Sequence, residues 1–163
     1  MGRSATAGLS IRPAMVVEVL NKSSRQKLAR IKFKKKAERI LEFLKQNRAE
    51  LSLAFVDNRE IQKLNARYRN KNQPTDVLSF PPEKSLATEV DLLGDVVISV
   101  EQAEIQAKRR RRPLDEEMES LLIHGILHLL GYDHERSTED ARVMRRLERK
   151  IHRALCDKKK LGV

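Results

Sequence analysis

Three of the four histidines fall within eleven residues, in the run His124-Gly125-Ile126-Leu127-His128-Leu129-Leu130-Gly131-Tyr132-Asp133-His134. On a helix each residue advances about 100°, so His124 and His128 sit one turn apart on one face, about 40° from each other. Two imidazoles so placed can converge on one ion. Gly131 stands where the helix should stop, because glycine enters the left-handed conformation past a helix end without a Cβ penalty. The chain can then turn back and deliver His134. Three neutral nitrogens with an open fourth position describe a catalytic zinc site rather than a closed structural one.

The spacing matches the ligand and turn positions of the zinc-peptidase pattern H-E-x-x-H-x-x-G-x-x-H, with one departure. Where the peptidase carries its glutamate base, this chain carries Gly125. The ion-binding geometry is present and the peptidase's proton acceptor is not. A glycine inside a helix costs about 0.5–1 kcal/mol relative to alanine, so its presence implies a close approach to the backbone. His152, alone on the last helix, reads as a structural residue.

The elements that must position this run can be read from periodicity and capping signals. Met15–Leu20 is a short β-branched strand. A basic helix is expected over Ser24–Gln46, with Leu28, Ile31, Ala37, Ile40, Leu41 and Leu44 as its apolar stripe and Lys32, Lys34, Lys35 and Lys36 largely outside it. Leu51–Val56 is the second strand. Asp57-Asn58-Arg59-Glu60 has the form of a capping box opening a helix to about Tyr68. After a turn at Asn70–Pro74 come strands at Asp76–Phe80 and Leu92–Ser99, separated by a loop over Glu83–Thr88. Helices follow at Val100–Arg110, Leu114–Leu130 and Thr138–Asp157. The histidine helix is apolar almost all round, so it belongs at the centre. The expected fold is α+β: a single layer of about four strands in a mixed sheet, about five helices, and a central buried helix carrying the metal ligands.

With 163 residues the chain is long enough for one domain with a sizeable core, expected over residues 15–158. Residues 1–14 read as a disordered N-terminal extension and 159–163 as a C-terminal tail. Lys and Arg number 34 against 23 Asp and Glu, a net charge of +11. Residues 1–50 carry +9, 51–100 carry −1 and 101–163 carry +3. Such a field attracts polyanions. With aromatics at only 4% and no tryptophan, binding would lean on phosphate charge rather than base stacking. The single cysteine, Cys156, excludes an internal disulfide and suits an intracellular, cytoplasmic protein. No stretch approaches the ~20 apolar residues of a membrane span, so no membrane partner is expected.

Three segments together carry a family resemblance: Asn65-Ala66-Arg67-Tyr68-Arg69-Asn70-Lys71-Asn72-Gln73-Pro74-Thr75-Asp76-Val77-Leu78-Ser79-Phe80-Pro81, Leu93-Gly94-Asp95-Val96-Val97-Ile98-Ser99, and the histidine run. The chain resembles the YbeY family of metal-dependent endoribonucleases, also described as ribosomal RNA maturation factors, over about Met15–Asp157. The resemblance implies an enzyme that processes the 3′ end of small-subunit ribosomal RNA and takes part in ribosome quality control. It implies one zinc ion per chain held by His124, His128 and His134, and a functional role for Arg69. It also implies three partners: the small ribosomal subunit, one of its proteins, and the GTPase Era.

Chemically, zinc can polarise a phosphoryl oxygen or activate water. His124 and Arg69 are the candidate catalytic residues, the arginine as a planar fork for phosphate oxygens. Since Gly125 accepts no proton, the base must be the ion's own water, an RNA 2′-OH route, or a carboxylate such as Asp133 or Asp95. Asp133 can orient a histidine or cap the turn. Thr75, Asp76 and Ser79 are cleft candidates, with Asp76 equally able to hold Arg69 or a turn. The candidate RNA footprint is Lys32, Lys34, Lys35 and Lys36 with Arg109, Arg110, Arg111 and Arg112. Two other readings remain open: a metal hydrolase or peptidase of another substrate class, and a non-catalytic ribosome assembly factor with a structural zinc.

Overall fold

The computed structural model describes residues 14–25, 28–83 and 91–160. Residues 1–13 of the expected extension, most of the expected loop at Glu83–Thr88, and the last three residues of the expected tail lie outside the described residues. The order is β1 (Val16–Asn21), α1 (Arg30–Phe43), β2 (Ala49–Val56), α2 (Asn58–Arg69), β3 (Val77–Phe80), β4 (Asp91–Ser99), α3 (Val100–Arg110), α4 (Leu114–Leu129) and α5 (Thr138–Lys160). The four strands form one mixed sheet in the order β1-β2-β4-β3, parallel except that β3 runs antiparallel to β4. This is the α+β arrangement expected.

Strand alternation divides the core in two. Val17, Leu51, Leu53, Phe55, Val96 and Ile98 face the main core, where α1 and α4 cover them. Leu78 and Val97 face the other way and pack with Val56 and with Ile61 of α2. Helix α4 is the buried centre: Met118, Leu122, Ile123, Ile126 and Leu127 are fully buried. Gly125 explains how it lies so close to the sheet. A Cβ there would stand 2.7 Å from Val96 Cγ1, and Ser79 Oγ donates to the Gly125 carbonyl at 2.9 Å. The close approach implied by a mid-helix glycine is therefore made by the sheet.

Three expectations for the first half need correction. Helix α1 begins at Arg30 rather than Ser24, because the preceding residues bond elsewhere. Ser23 donates to Asn21 Oδ1 through both its amide and its hydroxyl, and the Ser24 amide donates to Asp57. Serine and asparagine side chains offer the backbone such alternatives to a helix. The buried face of α1 is also rotated: Phe33, Lys36, Ala37, Ile40 and Leu41 are buried, while Ile31 is 73% exposed. Phe33 meets Phe55 edge to face at 5.2 Å, which outweighs Ile31 in setting the rotation. Asp57 makes no cap bond of its own; its carboxylate is spent on Ser24, and the Asn58 amide is met instead by Glu101 Oε1 at 2.9 Å.

Lys36 is drawn inward by charge. Its Nζ donates to Glu119 Oε2 of α4 at 2.5 Å, and Glu119 Oε1 takes His152 Nδ1 of α5 at 3.0 Å. One carboxylate thus ties three helices together. Among the described residues, no helix is long and apolar enough to cross a membrane.

Gly125→Ala should destabilise the protein by about 1–3 kcal/mol through overpacking on Val96, despite alanine's better helix propensity. Denaturant titration of Gly125→Ala, Val96→Ala and the double variant should show a non-additive coupling. Burial raises the Glu119 pKa, but hydrogen bonds from His152 and Lys36, with their charges, bring it down from 4.5 to about 2. The folded value lies below the unfolded one, so this stability is complete above about pH 5 and is lost as pH falls through that interval to about 2. The stability gap between wild type and Glu119→Gln should narrow over that window in acid titrations. Lys36→Met, which leaves the buried carboxylate without its lysine, should cost about 3–5 kcal/mol at neutral pH.

Candidate metal centre

Helix α4 presents His124 and His128 on one side of its last turns, and its ending supplies the third histidine. Gly131 has φ +94°, its amide donates to the His128 carbonyl at 3.0 Å, and the Tyr132 amide donates to the Leu127 carbonyl at 3.1 Å. This is the paired bonding of a Schellman stop. Tyr132 packs against the core beyond it, so the returning chain is held and His134 comes back toward the helix. The candidate ligand nitrogens of His124, His128 and His134 lie within 4.8 Å of one another, and Nε2 of His124 is 3.0 Å from Nε2 of His128.

The donor set fits a metal ion. Zinc–nitrogen bonds of about 2.0–2.1 Å at tetrahedral angles separate neighbouring nitrogens by about 3.4 Å, within the spacings found here. Glu148 of α5 stands 2.8 Å from His124 Nδ1. The carboxylate takes the proton of Nδ1 and leaves the Nε2 lone pair facing His128. A carboxylate behind a ligand imidazole fixes its tautomer and strengthens it as a donor. Burial, followed by the neighbouring His124 and His134 and more weakly by Arg69, lowers the His128 pKa against the opposing pull of Asp133. His128 is thereby favoured in the neutral form that can ligate.

Glu148 was not identified from sequence. It lies 24 residues from His124 and belongs to a charged helix, so only the packing of α5 on α4 reveals it. Asp133, the orienting candidate in sequence, instead accepts the Glu135 amide at 2.8 Å and caps the turn. That amide, joined by Arg136, His128 and His134, holds its carboxyl below the usual aspartate value. Asp95 occupies the strand position next to Val96, so it projects to the α2 side of the sheet, into a groove with Tyr68 and Phe80. Asp76 holds its own turn and α3: its carboxylate accepts the Val77 amide at 2.8 Å and Gln106 Nε2 at 2.9 Å. Ser79 anchors α4, as described above. Thr75 lies 3.4 Å from Asp76 Oδ1.

Arg69 ends α2, near enough for its charge to act on His128. Its placement rests on Tyr68, which meets Phe80 edge to face at 5.1 Å, and on Asn70, whose left-handed φ of 55° closes the helix. The buried Asn65 ties the following turn through a 2.8 Å bond to the Gln73 carbonyl.

The basic residues expected to meet RNA divide by what holds them. Lys36 is buried on Glu119, a correction, and Lys32 pairs with Asp115. Arg110 and Arg112 close on the fully buried Glu117, at 3.1 Å and 2.5 Å. Lys34, Lys35, Arg109 and Arg111 stand exposed. His152, with Glu119 at Nδ1 and Ser120 Oγ at 3.1 Å from Nε2, is a structural residue.

The sequence pattern of the family described as Endoribonuclease YbeY matches residues 18–156. A protein named Endoribonuclease YbeY from Sulfurihydrogenibium sp. is 48% identical over 114 residues, 70% of this chain and 75% of that one. Another of that name from Aquifex aeolicus is 46% identical over 130 residues, 80% of this chain and 86% of that one. Among solved structures, the solution structure of TM1509 from Thermotoga maritima superposes with a TM-score of 0.64 at 26% identity, over 90% of this chain and 93% of that one.

Glu148→Ala should lower metal affinity by about 10- to 100-fold in a chelator-competition titration, with circular dichroism unchanged. Glu148→Gln, which keeps an acceptor oxygen for Nδ1–H, should lose less. Equal affinities for all three proteins would show that His124 needs no carboxylate behind it.

Proposed function

The chain belongs to the Endoribonuclease YbeY family, and from that premise we propose that it is a zinc-dependent endoribonuclease acting on single-stranded segments of ribosomal RNA. The processing step is maturation of the 3′ end of the small-subunit RNA, with a role in ribosome quality control in the cytoplasm. The observation that carries this reading is the trio of imidazoles, with the His124 tautomer set by Glu148 and with Gly125 where the peptidase pattern has its glutamate. The net charge of +11 supports an RNA substrate. The small ribosomal subunit, one of its proteins and the GTPase Era are the proposed partners.

His124, His128 and His134 would hold one zinc ion, which would supply Lewis-acid polarisation of a phosphoryl oxygen or a water of lowered pKa. Glu148 keeps the His124 lone pair aimed at that position. Arg69 presents its guanidinium to a phosphate oxygen and stabilises the charge that builds there as the phosphodiester is attacked. Neither carboxylate considered from sequence is set as the proton acceptor. Asp133 is engaged by a backbone amide and held ionised, and Asp95 lies on the other face of the sheet. The chain's own contribution is therefore placement and charge rather than a dedicated base.

Purified protein should cut a ribosomal RNA precursor spanning the small-subunit 3′ end and leave casein intact. His128→Ala should abolish cutting, and Arg69→Ala should reduce kcat by about 10²–10³ with the fold intact, as for loss of one transition-state donor. Cleavage that persists equally in both variants would belong to a contaminating nuclease. A metal-free, folded protein that still cuts would make the ion structural.

A further inference from the structure

Beside the metal centre, α3, α4, α5 and the start of β3 enclose a cavity of about 440 Å³ whose wall includes His124 and Glu148. It falls within the range of small-molecule sites, about 300–1,000 Å³. Its three acids are all engaged: Glu117 by Arg110 and Arg112, Glu148 by His124, and Asp76 by Gln106 and the Val77 amide. Two further arginines line it, Arg145 and Arg149, one turn apart on α5. Both are exposed, and neither has an ion-pair partner among the described residues. They are the cavity's uncompensated charge. Gln106 is fixed in the wall, its Nε2 donating to Asp76.

We infer that Arg145 and Arg149 form a second phosphate subsite, which seats the backbone phosphate of a nucleotide adjacent to the scissile bond. The inference rests on the RNA reading proposed above and adds the residues that hold the strand on the His124 side. Guanidinium forks match phosphate oxygens in pairs, and two forks at i and i+4 can address one phosphate. Helix α5 thereby acquires two tasks: Glu148 orients the metal ligand and its neighbours position the strand. With the cavity's acids compensated by their own partners, the two unpaired guanidinium groups favour an anion, and on the RNA reading that anion is a backbone phosphate.

The test measures equilibrium binding of a short 2′-O-methyl single-stranded RNA, its integrity checked on a gel after each titration, to the full-length protein across a salt series. For a single strand each phosphate contact contributes about 0.7 to the slope of log affinity against log salt. Arg145→Gln/Arg149→Gln should lower that slope by about one contact and weaken binding on the order of tenfold at moderate salt. Arg146→Gln/Arg153→Gln removes the same charge from the same helix, at positions that do not line the cavity, and should leave the slope unchanged. In cleavage assays the first pair should raise KM with kcat within about twofold, as loss of uniform binding does. Equal losses in both pairs would reduce the effect to general charge and overturn the subsite, as would no loss in the first. If wild type binds but does not cut, the enzymatic proposal fails while the salt slopes still decide the subsite.

Discussion

The contact on which the rest of the structure depends is that of α4 with the sheet at Gly125. A backbone-to-side-chain approach this close is possible only without a Cβ, and it lets Val96 sit against the helix where a larger residue would hold it off. The Ser79 hydroxyl, bonded to the Gly125 carbonyl, fixes the helix along the direction that packing alone leaves soft. Both constraints act between His124 and His128. The same residue that separates this site from the peptidase pattern is thus the one that seats the ligand helix, so chemistry and packing meet in a single position.

Buried charge does the remaining positioning. Glu119 gathers Lys36 and His152, and Glu117 gathers Arg110 and Arg112, so α4 is joined to α1, α5 and the end of α3 by carboxylates on its own first turns. Such groups are costly to bury unless every partner is present, which favours one arrangement of the helices over its neighbours. The Glu119–His152 pair holds α5 one turn beyond Glu148, where that side chain reaches His124. The histidine cluster is therefore oriented by charges about one and a half to two turns along α4 from His124.

What the sequence revealed and what it concealed follow the same division. The histidine cluster was legible because its signals are local: i and i+4 histidines share a helix face, and Gly131 announces the left-handed stop that returns His134. The strands were legible as short β-branched and apolar runs, and the α+β order from their spacing. The helix α1 rotation was not, since Ile31 and Phe33 are both apolar and only the Phe33–Phe55 contact chooses between them. Its end was hidden too, because Lys45 rather than a glycine takes the left-handed position, at φ 58°. Glu148 was out of reach for a different reason: a glutamate among arginines on an amphipathic helix looks like any solvent-facing charge until α5 is docked.

The same argument changes how the net charge should be read. A total of +11 suggests a broad polyanion surface, but pairing removes much of the predicted footprint from it. Lys36 is inside the protein, Lys32 pairs with Asp115, and Arg110 and Arg112 close on Glu117. The charge left near the histidines is sparse and placed: Arg69 acts on His128, and Arg145 and Arg149 border the cavity beside His124. A distributed field steers an RNA strand toward the protein, whereas a few unpaired guanidinium groups flanking a metal centre determine which phosphate rests upon it. On the RNA reading proposed above, the number of basic residues governs encounter, and the few left unpaired beside the histidines govern register.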